Sequence, residues 1–125
     1  MKVHRIQWFF LLAVAIVAGI LTGCHKDSYS HKPPAGQGAI YVVNNTGSDI
    51  NVFINGERQD RVGARKKKAY DRPPGIYRIV LDQRNGDRTF RDDVDVLEGR
   101  LTIVDVAVDP TNFTDYDVAI FFRTP

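Results

Sequence analysis

The chain is poor in the residues that carry most protein chemistry. It has one cysteine, Cys24, and three histidines, His4, His25 and His31, all in the first quarter of its 125 residues. From Gly38 onward there is no cysteine, no histidine and a single serine, Ser48. Without a second cysteine an intrachain disulfide is excluded, so the fold must hold by apolar packing and strand pairing. A Ser–His or Cys–His nucleophile pair cannot be assembled after Gly38, and neither can a zinc site of the usual His/Cys kind. No glycine-rich phosphate loop is present. These absences predict a non-enzymatic protein with no cofactor.

What is present begins with a three-part N-terminus. Lys2 and Arg5, with His4 between them, make a short cationic end. Trp8 to Leu21 is an unbroken run of 14 apolar residues, counting one glycine. A membrane-spanning helix needs roughly 18 to 20 such residues, so the run has the length of an export signal, not of a permanent span. Thr22 and Gly23 then loosen the chain just before Cys24.

Leu21-Thr22-Gly23-Cys24 resembles the lipobox of bacterial lipoproteins. The resemblance implies that residues 1–23 are a cleaved signal peptide and that Cys24 is diacylated and becomes the new N-terminus. It also implies a cell-envelope location, anchored to membrane lipid through Cys24. The next residue is His25, not the Asp that commonly marks inner-membrane retention in this family. That implies the periplasmic side of the outer membrane, where the host has one.

Loss of the leader also changes the charge. The chain has 17 basic and 15 acidic residues, but two basic residues and no acidic one lie before Cys24. The remaining chain has a formal charge of zero, which gives it no global attraction to nucleic acid. Its 102 residues suffice for one small domain.

Residues 24–37 read as a lipidated, flexible tether. The segment carries Ser28, Ser30, Pro33, Pro34 and Gly36, and almost nothing apolar except Tyr29. Its thirteen residues after Cys24 would reach about 40 Å when extended. Residues 38–125 then show short β-type runs separated by turn residues. Ala39 to Asn44 and Ile50 to Ile54 come first, and Asn55-Gly56 predicts a type I′ hairpin. Residues 57–71 are polar and basic, with room for one or two short edge strands around Arg58 to Val62 and Lys68 to Asp71. Ile76 to Asp82, Thr89 to Leu97, Leu101 to Val108 and Tyr116 to Arg123 follow. The run from Leu101 is apolar almost throughout and reads as a central strand. Tight turns between neighbours favour antiparallel pairing. The expected fold is all-β, an antiparallel sandwich of six or seven strands after an N-terminal signal helix and tether.

Val52-Phe53-Ile54-Asn55-Gly56-Glu57 and Pro73-Pro74-Gly75-Ile76-Tyr77-Arg78-Ile79-Val80-Leu81 resemble the PEGA domain and its transthyretin-like relatives. The similarity covers Gly38 to Val108 and implies a non-catalytic surface module. Together with the lipobox and the missing catalytic residues, this points to a module that binds an envelope protein or glycan.

Two charged features are candidate sites. Arg61, Arg65, Lys66, Lys67 and Lys68 form a basic stretch suited to anionic headgroups or surface polymers. A mobile solubilising loop or basic edge strand is the plainer reading. Asp92, Asp93 and Asp95, with Glu98 beyond, are candidates for a carboxylate-dependent glycan hydrolase or a calcium-stabilised adhesion module. Here the plainer reading is a solvated strand face that guards an edge.

Overall fold

The computed structural model describes residues 29–125; the leader and Cys24 lie outside the described residues. Eight strands follow one another: β1 (Gly38–Asn44), β2 (Ile50–Ile54), β3 (Glu57–Arg58), β4 (Lys67–Arg72), β5 (Gly75–Gln83), β6 (Thr89–Val96), β7 (Leu101–Val108) and β8 (Tyr116–Arg123). They form two four-stranded sheets, ordered β4-β1-β7-β8 and β3-β2-β5-β6. Their facing sides share one apolar core, to which β1 gives Ile40 and Val42, β5 gives Ile79 and Leu81, and β7 gives Val104 and Val106. The described residues thus form an all-β sandwich; the expected signal helix lies outside them.

Two details differ from the expectation. There are eight strands, because the polar stretch after Asn55 supplies both β3 and β4. Pairing is also not antiparallel throughout: β1 and β7 run parallel, from Ala39 opposite Leu101 to Asn44 opposite Val106. The cause is the tight turn at Glu98-Gly99. It does not join neighbours in one sheet but carries the chain from β6 in the second sheet to β7 in the first. Gly99 has φ +69°, a conformation that glycine adopts at little cost. By contrast, Asn55 and Gly56 have φ values of 49° and 81°, the paired positive angles of the predicted hairpin turn. At Asn85-Gly86 only the asparagine is positive, and β5 and β6 are joined by a loop closed by the Gln83 amide donating to the Arg88 carbonyl.

Parallel pairs are generally covered on both faces, and this one is. Every residue of β1 is buried, as are Leu101 to Val104 of β7. On the outer face of the first sheet Ala39, Tyr41, Val43, Leu101 and Ile103 form a second apolar cluster. One level of the register runs straight across this face as Ala69–Tyr41–Ile103–Phe121. Tyr29 lies over it, its ring edge-on to Tyr41 at 5.8 Å and to Phe121 at 6.2 Å. The Lys67 ammonium stands over the Tyr29 ring, 5.9 Å from its centroid. At the next level His31 Nε2 lies 2.6 Å from Asp71 Oδ1, and Pro33 is buried. Residues 29–37 are therefore docked on the sheet and are not a free leash. The reason is the outer apolar cluster, which needs a cover that Tyr29 partly supplies.

Gly38 opens β1 where the crossing turn passes close by. A Cβ there would stand 2.2 Å from the Leu97 carbonyl oxygen and 2.8 Å from Val96 Cγ1. Neither neighbour can give way without shifting the turn that sets up the β1–β7 pair. Gly38→Ala is expected to lower the stability to chemical denaturation by about 1–3 kcal/mol or more. Gly47→Ala, where a Cβ meets nothing within 4 Å, should stay within about 0.5 kcal/mol of the parent.

Candidate functional site

The basic stretch spans the connection from β3 to β4 and the first two residues of β4, and a buried amide holds that connection in place. The Asn44 side chain, at the end of β1, donates through Nδ2 to the carbonyls of Ser48 (2.8 Å), Val62 (3.2 Å) and Gly63 (3.0 Å). Its Oδ1 accepts from the Thr46 amide at 2.9 Å and the Thr46 hydroxyl at 2.7 Å. One side chain thus ties the β1–β2 turn to the 62–63 backbone. Asp49 adds a second tie by accepting from the Ala64 amide at 3.0 Å. That hydrogen bond, with Arg84 and Arg61 nearby, holds the Asp49 carboxyl below the usual carboxylate range. By sequence Asn44 ends a strand and Thr46 sits among turn residues; nothing in their local pattern announces burial.

The five basic residues do not converge on one patch. Arg61 faces Asp49 at 3.8 Å. Arg65 takes φ +61° and donates to the Asn45 carbonyl at 2.8 Å. Lys66 lays its aliphatic stem against Gly63, and it has no anionic partner among the described residues. Alternation along β4 then sends Lys67 to the outer face over Tyr29, while Lys68 pairs with Asp60 at 3.0 Å.

Between the β3 and β4 edges an open cleft of about 560 Å³ is lined by Arg58, Gln59, Asp60, Arg61 and Tyr70. The Tyr70 hydroxyl donates to the Asp60 carbonyl at 2.5 Å, and burial pushes its pKa above the ordinary tyrosine value. Of these residues only Arg61 was a candidate from the sequence. The others come from two segments that the fold brings side by side, so no local pattern joins them.

The acidic candidates diverge. Asp93 and Asp95 share the outer face of β6, while Asp92 has the inward parity of Val94 and Val96 yet is exposed. Arg78, opposite on β5, grips Asp93 with Nε at 2.9 Å and Nη2 at 3.3 Å. The Arg78 hydrogen bond keeps the Asp93 carboxyl below its ordinary pKa. Asp92 accepts from the Asp93 amide at 2.8 Å. Among the described residues no three metal-ligating side chains gather. Nor do the acids face one another across the cleft, which lies on the opposite edge of the sandwich.

The Asn44 knot can be tested by changing one atom. Asn44→Asp replaces the donor that meets three carbonyls with an acceptor. The variant is expected to lose about 2–4 kcal/mol at neutral pH, as buried groups lose partners and a charge is buried. Burial and the facing carbonyls raise the new carboxyl's folded pKa above its unfolded value of about 3.9. Its neutral form is therefore tolerated at low pH, and the deficit relative to the parent should shrink as pH falls toward about 4. Denaturant midpoints of both proteins across pH 4 to 8 check this.

No protein-family model matches the chain, and no curated protein does. Among solved structures, it is similar to the N-terminal domain of AlgF from P. aeruginosa, at 15% sequence identity and a TM-score of 0.47. The match covers 70% of this chain and 95% of that one. A likeness this distant says nothing about function.

Proposed function

We propose that this chain is a lipid-anchored protein of the bacterial cell envelope. Its sandwich is a non-catalytic binding or structural module that serves an envelope protein or glycan partner. The observation that carries this reading is Leu21-Thr22-Gly23-Cys24 at the end of the 14-residue apolar run. Two acyl chains on Cys24, each methylene contributing on the order of 0.8 kcal/mol when buried, hold a domain to a membrane far more firmly than one chain. His25 after the cysteine favours the outer membrane of a host that has one.

The docking of Tyr29 supports a particular posture. Only five residue steps separate Cys24 from Tyr29, a reach of about 18 Å at most. The effective tether is thus much shorter than the whole 25–37 segment, and the outer face of the first sheet is the one held near the lipid. Lys67 lies on that face and Lys66 beside it. These two are the members of the basic stretch best placed to meet anionic headgroups, at about 1 kcal/mol each near a charged surface. The partner-binding surfaces are then those turned away from the membrane.

Metabolic labelling with a clickable palmitate tests the anchor. The full chain is expected to incorporate label, shift to the processed mass and fractionate with membranes. Cys24→Ser should abolish the label and release the protein or leave it unprocessed. Equal labelling of parent and variant, or none of either in a host with the lipoprotein machinery, would overturn the reading.

A further inference from the structure

We propose that the outer edge of β8 pairs with β8 of a second copy of this chain, joining the two first sheets into one continuous sheet. Exposed sheet edges invite pairing with other strands, and proteins blunt them with charge, brevity, proline or bulges. Three of the four edges here are blunted. β4 carries Lys67, Lys68, Asp71 and Arg72; β3 has two residues; β6 carries Arg91, Asp92, Asp93 and Asp95. β8 differs. It runs for eight residues, pairs with β7 residue for residue without a bulge, and has five apolar residues in succession, Val118 to Phe122. Ile120 is 37% exposed and Phe122 45% exposed, although both have the inward parity of the core residue Tyr116 and of Val118, which packs against the core.

The occupant follows from the sequence of the edge itself. Two antiparallel copies can meet only in registers where facing residues point to the same side, so allowed slips are of two residues. With the two-fold axis on Ile120, Asp117 faces Arg123 of the other copy, and Val118 faces Phe122. Ala119 then faces Phe121, a small side chain opposite a large one. Both charges of the strand are thus matched twice, once in each direction. Moving the axis to Ala119 or Phe121 sets Asp117 opposite Phe121 or Pro125 and loses the match. Among the described residues neither Asp117 nor Arg123 has an ion-pair partner within the chain; Arg123 only stacks its guanidinium 5.1 Å over Phe121. Such an axis stands perpendicular to the sheet, so both outer faces point the same way. The two Tyr29 residues then lie on one side of the joined sheet, where a single membrane can hold both copies. The pairing itself rests on the edge and not on the acylation of Cys24.

Disulfide trapping in the full chain tests it. Directly opposed strand residues bring Cα atoms to about 4.5–5.5 Å, within disulfide range. Full-length protein in detergent micelles carries Ile120→Cys and is mildly oxidised; the parent, whose only cysteine is Cys24, sets the background. Ile120→Cys is expected to form a disulfide-linked dimer well above Ile76→Cys, a control on the other sheet where the native side chain is 71% exposed. In the Ile120→Cys background, Asp117→Arg alone or Arg123→Asp alone should lower the dimer yield roughly tenfold, because cross-strand charges become alike. The two together should restore it. Trapping no better than at Ile76→Cys overturns the proposal, as does an effect of neither charge change, or a double variant that stays as low as the singles. Loss of palmitate labelling with trapping intact would refute only the lipid anchor.

Discussion

The parallel pairing of β1 with β7 is the constraint on which the rest of the structure depends. It sets two apolar strands side by side in the middle of one sheet, and each then carries buried residues on both faces. The inner face is met by the second sheet. The outer face would otherwise leave Tyr41, Leu101 and Ile103 to water, and fully burying such side chains contributes about 1.5–3 kcal/mol each. The segment before β1 turns back over this face, with Tyr29 across the central ladder and His31 held by Asp71. The same pairing pushes β4 and β8 to the two edges of the sheet. Their contrast, one charged and one apolar, then decides which edge is open to a partner.

These placements connect the fold to the membrane reading. A domain on a long free leash has no preferred orientation. Under the proposed anchoring, a domain pinned five steps after an acylated Cys24 would present a particular face to the bilayer. The charges elsewhere are handled locally. Arg78 holds Asp93, Asp60 holds Lys68, and Asp49 sits among Arg61, Arg84 and the Ala64 amide. Pairs of this exposed kind contribute little to stability, yet they separate the basic residues that are locally paired, such as Arg61 and Lys68, from Lys66, which has no anionic partner among the described residues. Asn44 does the structural work beneath them, fixing the connection from which Arg65 and Lys66 project.

Much of the sandwich is legible in the sequence because strand alternation and β-branched runs are local signals. β2 and β8 fall at the bounds that their patterns predict, and the continuous apolar run of β7 marks a central strand. The parallel pair is not legible, since a turn dipeptide reports that the chain reverses and not which sheet receives it. Glu98-Gly99 and Asn45 to Ser48 both pass between sheets while looking like hairpin turns. Residues 29–37 dock through Tyr29, His31 and Pro33, in a stretch whose prolines and serines read as tether. The cleft beside Tyr70 joins segments that no local pattern relates. The acidic cluster on β6 shows the opposite case, where proximity along the chain does not become convergence in space, because alternation sends neighbours to opposite faces.

Amide hydrogen exchange of the full chain, read strand by strand, tests the central claim most directly. If β1 and β7 are the doubly covered heart of the fold, their amides should be the slowest to exchange. Tyr29→Ala should then accelerate them selectively, leaving β5 in the second sheet nearly unchanged. Exchange in β1 and β7 as fast as in the edge strands, or indifferent to Tyr29→Ala, would contradict the account.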